Sequence, residues 1–340
     1  MSRKLRSLPF GKRPGEEPYN ASEVLALADS RFLFCDNNVS DSLFEFRVRG
    51  DGTLGGRLQR RRIEGLDADA IDDLEGIEIV RAAGHTYIFG TSSLCLKTRK
   101  GRHKKRKRGK VLPARESIVR ISVESRGRLR AEVMPDFRPW LIEHTPWLRR
   151  AAGLIPDDGG LNVEALSWDP RRQALLFGLR TPVIDGRPVI LRVKPQRIDG
   201  PWTVDNLRIL PPLKLAVPAG DGESGLRAMS LDQATGRSLI ILGNATSASK
   251  APFRLYEWDG NPRGLLRHHE GVRFHKRMKV EGVTRGTVGG RSAVVFVDDA
   301  GGFQVLWGDD ERLKKSEGRR GKSEGKGPHK SEGKRQKYGT

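Results

Sequence analysis

Five stretches of this chain follow one plan, and that repetition limits the fold more than any other feature. They read SEVLALADSRFLFCDNN from Ser22, LEGIEIVRAAGHTYIFGTSS from Leu74, VEALSWDPRRQALLFGLR from Val163, LRAMSLDQATGRSLIILGN from Leu226 and VEGVTRGTVGGRSAVVFVDD from Val280. Each opens on a charge: Glu23, Glu75, Glu164, Arg227 and Glu281. The next residue is small in four of the five, at Gly76, Ala165, Ala228 and Gly282. Two positions beyond the charge all five are large and apolar: Leu25, Ile77, Leu166, Met229 and Val283. A polar turn follows, then an apolar run at 32–34, 87–89, 175–177, 239–242 and 293–297. Short apolar runs bounded by turn residues predict buried strands.

A third strand is expected in each unit, over 43–48, 117–123, 189–193, 253–258 and 303–307. A fourth follows in four of them, at 56–63, 128–134, 206–211 and 265–269. The opening charges lie 52, 89, 63 and 54 residues apart, and the long interval holds a basic run and a Pro/Trp-rich stretch, 135–160. Units of four short antiparallel strands predict an all-β fold, a single β-propeller of five blades, with six as the alternative. A β-sandwich would not repeat its start motif. The fifth unit lacks an outer strand, which 6–10 could supply to close the ring. The expected organisation is a basic N-terminal segment over 1–21, a propeller over 22–310 and a disordered tail over 311–340.

Charge follows the same division. The chain has 63 Lys and Arg against 42 Asp and Glu, a formal charge of +21. Residues 1–13 carry five basic groups, 97–110 ten and 311–340 eleven against four acids. The rest is close to neutral, so the basicity belongs to appendages rather than to a folded face. The tail repeats Lys-Ser-Glu-Gly at Lys315, Lys322 and Lys330, a composition that cannot offset its ordering entropy. The run at 97–110 is expected to be a solvated loop. Arg102, Lys104, Lys105, Arg106, Lys107 and Arg108 would give weak, salt-sensitive contact with nucleic acid or another polyanion. No aromatic residue interleaves them to stack on bases. No apolar run approaches the roughly 20 residues of a membrane span. The first 20 residues have no apolar core of a signal peptide, and Cys35 and Cys95 define no disulfide framework, so a cytoplasmic protein is expected.

The segments DLEGIEIV…YIFGTSS, GLNVEALSWDP…LLFGLRTPVIDGRPVILRV, GLRAMSLDQATGR…LIILGN…LYEWDG and KVEGVTRGTVGGRSAVVFVDD resemble a bacterial propeller-like family, domain of unknown function 3616. It is loosely similar to the phytase-like and esterase-like propellers. The resemblance runs from about Ser22 to Trp307. It implies a fold and no activity, so it assigns no catalytic residue. The basic loop and the tail depart from it.

GxSxG, Walker, GxGxxG and HExxH motifs are all absent. What remains is a geometric expectation. In an antiparallel pair, the start of the first strand and the end of the second lie at the same end of the sheet. In a propeller that end is a channel mouth. Glu75, Glu164, Arg180, Arg227, Glu281 and Asp298 are therefore candidate ligand residues. Glu23, Glu75, Glu164, Glu281, Asp36 and Asp298 would form an oxygen-rich ring suited to calcium or another divalent cation. The competing expectation is structural: strict strand alternation puts each opening charge on the face of the core residue two positions on. It would then bond a neighbouring blade's backbone. Two functions follow. One is a module binding a protein or small-molecule partner at the channel face. The other is a metal-assisted hydrolase of phytase, esterase or lactonase type.

Overall fold

The computed structural model describes residues 4–12, 17–67, 69–99, 108–217, 223–262 and 266–314. It is mostly β. Unit I comprises Ala21–Ala28, Arg31–Asp36, Val39–Arg47 and Gln59–Glu64, and unit II Leu74–Ala82, His85–Ser92, Ile118–Val123 and Leu129–Met134. Unit III comprises Asn162–Asp169, Ala174–Ile184, Arg187–Pro195 and Leu207–Lys214, and unit IV Ser224–Asp232, Arg237–Asn244, Arg254–Trp258 and Arg267–His268. Within each unit successive strands pair in order. Unit V has three consecutive strands, Val280–Val288, Arg291–Asp298 and Gly302–Trp307. Its outer place is taken by Leu8–Pro9, with Leu8 opposite Phe303 and Pro9 opposite Gly302. An outer strand is where proline, lacking an amide hydrogen, does least harm.

The first strands touch in cyclic order, unit I to II, II to III, III to IV, IV to V and V back to I. The arrangement is propeller-like. Units I and II are further joined through their fourth strands, which pair in parallel at Ile63–Leu129 and Glu64–Arg130. Apolar clusters fill the spaces between neighbouring units, as between units I and V. There Phe10, carried in by the N-terminal segment, stacks on Phe34 at 4.7 Å and on Phe303 at 5.2 Å.

Two expectations change, and the stretch between units II and III gains a structure. The ends of the basic run are not loop: Lys97–Arg99 pairs antiparallel with Arg108–Lys110. Leu94, Cys95 and Leu96 are buried and anchor its base, so the two ends meet and their backbones pair despite like charges. The tail boundary moves, because Glu311–Lys314 is a helical turn and Leu313 packs with Val272, Phe274 and Met278. The Pro/Trp-rich stretch forms short helices, Phe137–Glu143 and Arg149–Ala152, against units II and III. Arg138 ties them down, donating to the Leu94 carbonyl at 2.8 Å and the Ala152 carbonyl at 2.7 Å. Residues 315–340 lie outside the described residues.

Candidate functional site

Every first strand slips register at its opening charge. The slips fall between Ser22 and Val24, Leu74 and Gly76, Val163 and Ala165, Leu226 and Ala228, and Val280 and Gly282. Each charged residue is thus the extra residue of a β-bulge, released from the ladder and re-aimed. The bulge breaks the strict alternation expected from sequence. It also explains the small residue that follows, which abuts the next unit: a Cβ on Gly76 would lie 2.7 Å from the Leu166 nitrogen.

The released charges meet one another. Arg227 bridges two units, with Nη1 2.9 Å from Glu164 Oε2 and Nε donating to Glu281 Oε2 at 3.0 Å. Its Nη2 donates to Glu281 Oε1. Arg180 donates to Glu164 Oε1 at 2.8 Å and to the Ala245 carbonyl at 2.9 Å. Asn162 donates to the same Glu164 oxygen at 2.8 Å. Glu75 accepts from Ser22 Oγ at 3.2 Å. Burial pushes Glu75 well above the carboxylate range, and the charges of Asp73, Glu164 and Glu281 add to the push. Beside it Arg115 pairs with Asp72 at 2.6 Å and Asp73 at 3.0 Å, and donates to Cys95 Sγ at 3.1 Å.

Glu23 behaves differently. Its carboxylate crosses the channel and accepts from the Val283 amide at 3.1 Å and the Met229 amide at 3.2 Å, in units V and IV. Asp36 and Asp298 close turns at the ends of second strands, accepting from the Asn38 amide at 2.9 Å and the Gly302 amide at 3.0 Å. The structure therefore brings Glu75, Glu164, Arg180, Arg227 and Glu281 together and leaves Asp298 and Asp36 outside that group. The proposed cation ring does not fit. Among the described residues no three His, Cys, Asp or Glu converge to hold a metal ion. Glu164 and Glu281 face a shared guanidinium, and Glu23 faces amide donors. Arg102, Lys104, Lys105, Arg106 and Lys107 lie outside the described residues, as does the side chain of Arg108.

A second polar ring escaped the sequence reading. Three positions after the opening charge stand Glu78, Ser167, Ser230 and Thr284, with Ala26 in unit I, and all four polar side chains are buried. Ser167 Oγ donates to Glu78 Oε2 at 2.9 Å, and Leu231 and Ile79 offer amides at 3.3 and 2.9 Å. Burial raises Glu78 to about 7 against the pull of these donors. The signal was present as polar residues recurring at one repeat position inside apolar strands. Beyond this ring, at the end of the first strands opposite the bulges, a cavity of about 480 Å³ opens. Its wall includes Arg81, which donates to Gln233 at 3.0 Å, and Arg285, 2.9 Å from Asp232.

The model of the family described as "Protein of unknown function (DUF3616)" matches residues 141–283. The chain resembles that family over units III and IV, the helical insert before them and the first residues of unit V. No curated protein matches. Among solved structures, Sqt1 of Saccharomyces cerevisiae is 12% identical, with a TM-score of 0.31, and the match covers 86% of this chain and 72% of that one. An exo-beta-1,3-galactanase of Phanerochaete chrysosporium is 8% identical, with a TM-score of 0.47 and 90% and 64% covered. A GH43 endo-arabinanase of Bacillus licheniformis is 8% identical, with a TM-score of 0.40 and 87% and 95% covered. Among the described residues no helix is long and apolar enough to cross a membrane.

Proposed function

We propose that the chain is a five-bladed β-propeller that binds a small polar ligand in the funnel opposite the bulges. The cyclic contact of five first strands, with Leu8–Pro9 completing unit V, supports the blade count. The observation that carries the ligand site is the open cavity at one end of the first strands. At the bulge end Glu164, Arg180, Arg227 and Glu281 face one another, and this supports a bracing role. At the funnel end a cavity of about 480 Å³ sits over a ring of buried hydroxyls and one carboxyl. Few convergent polar groups in a concave site are what a ligand pocket requires. The alternative of a metal-assisted hydrolase would need carboxylates gathered around a cation, and among the described residues no such cluster is present.

The test is a thermal-shift screen of small polar compounds on the full chain, with two variants. Arg81→Ala removes a guanidinium from the funnel rim, and Arg180→Ala removes one from the bulge end. A compound bound in the funnel should lose at least about tenfold in affinity in the first, roughly 1.4 kcal/mol, and little in the second. The reverse pattern would sink the assignment.

A further inference from the structure

The basic N-terminal segment is not loose. Leu5 is buried and forms a parallel bridge with Phe274, donating to the Arg273 carbonyl at 2.7 Å and accepting from the His275 amide at 2.9 Å. This clamps Lys4 and Arg6 beside the stretch Arg273–His275–Lys276–Arg277, which leads from unit IV to unit V. Between that stretch and the outer strands of unit IV lies a cavity of about 550 Å³. Four of its five titratable lining residues are basic, Lys4, Arg254, His268 and Arg273, and the fifth is Glu270. Phe253 and Phe274 supply an apolar wall, and the Arg227 guanidinium lies over the Phe253 ring, 5.6 Å from its centre. The crowding of cations is felt by the histidines. After burial, Arg254 and Arg273 lower His268, and Arg6, Arg277, Lys4 and Lys276 lower His275.

We propose that this cavity is a binding site for the polyphosphate group of a small ligand. Cations drawn from three separate segments surround one concavity, which concentrates positive potential at a point rather than along a stripe. Guanidinium groups meet phosphate oxygens in paired fashion, and a lysine adds a mobile point charge. The site is distinct from the funnel and from the basic run at 97–110, and it rests on neither.

Isothermal titration of the full chain with sodium tripolyphosphate tests it. Saturable binding at one site is expected, weakening as salt is raised. The double variant Arg254→Gln/Arg273→Gln should bind at least tenfold more weakly, and Lys4→Gln, at an exposed position, several-fold more weakly without risk to the fold. Arg197→Gln, on the exposed surface of unit III, should change affinity less than twofold. Unchanged affinity in the double variant and in Lys4→Gln would place the phosphate on other segments and overturn the proposal. So would a single-stranded oligonucleotide of equal charge binding more tightly than tripolyphosphate, since that answer requires an extended surface.

Discussion

The two ends of the channel use buried polarity in opposite ways. At the bulge end five charged residues left the strand ladder, and four came to rest in contact with groups of opposite sign or with one another's neighbours. At the funnel end the ring is hydroxyls and a single carboxyl, packed three residues further along the same strands. Both rings are written into the same repeat. The difference lies in how far the side chain reaches across a unit boundary. Glutamate and arginine released by a bulge reach far, and they couple adjacent units. Serine and threonine span the same boundaries only through short contacts, such as Ser167 Oγ to Glu78, and they fill less volume, so space remains above them. Long charged side chains therefore close a channel, and short polar ones leave it open.

The sharpest way to break this comparison is to remove the shared cation. Arg227→Met should cost about 3–5 kcal/mol in chemical denaturation, because Glu164 and Glu281 lose their buried partner. Adding Glu164→Gln and Glu281→Gln should restore much of it. If Arg227→Met alone is nearly neutral, the bulge end is not a brace.

The funnel end should respond to pH instead. Glu78, raised to about 7 by burial, holds its proton more tightly in the folded chain than in the unfolded one. Its contribution favours folding at low pH and is lost as pH rises from about 4 to about 7, a change of up to about 3 kcal/mol. Glu78→Gln keeps an oxygen for its donors and should flatten that part of the stability–pH curve. Glu23 and Glu75, raised in the same direction, keep the remainder. Identical slopes in wild type and variant would mean that Glu78 stays charged.

Two smaller effects refine the picture. Leu313→Ala should cost about 2 kcal/mol, at the low end for a core leucine because the four-residue helical turn that carries it can shift toward the gap. A neutral result would return the tail boundary to 311. Ser230→Ala should cost no more than about 1 kcal/mol, since its contact with Thr284 Oγ1 is long at 3.4 Å. A larger loss would make the hydroxyl ring a brace like the other.

Much of the architecture was legible because the repeat imposes it. The apolar runs at 32–34 and 175–177 are central strands, and the missing outer strand of the fifth unit pointed back to the N-terminus. The bulges were not legible. Alternation alone assigns Glu75 and Ile77 to one face, and nothing in EGI shows that the ladder skips a residue. The signal was the small residue after four of the five charges, whose reason is contact with the next unit. Glu78 was hidden in the same way, as a polar position inside an apolar strand. The basic run misled through charge: like charges predict a loop, but Lys97–Arg99 and Arg108–Lys110 pair through their backbones where the buried Leu94 and Leu96 hold the incoming strand.

The pairing of Leu8–Pro9 with Gly302–Phe303 has a consequence in time as well as in space. It joins positions nearly three hundred residues apart, so the ring cannot lock until residue 303 has left the ribosome. Until then Phe10 has no Phe303 to stack on, and the strand Gly302–Trp307, once made, presents a bare edge to any other nascent chain. Such long-range closure is slow, because loop entropy is lost before the contact forms. Lys4 and Arg6 sit just ahead of that strand. The bridge of Leu5 to Phe274 carries the same requirement, since it cannot form before residue 274 has been made.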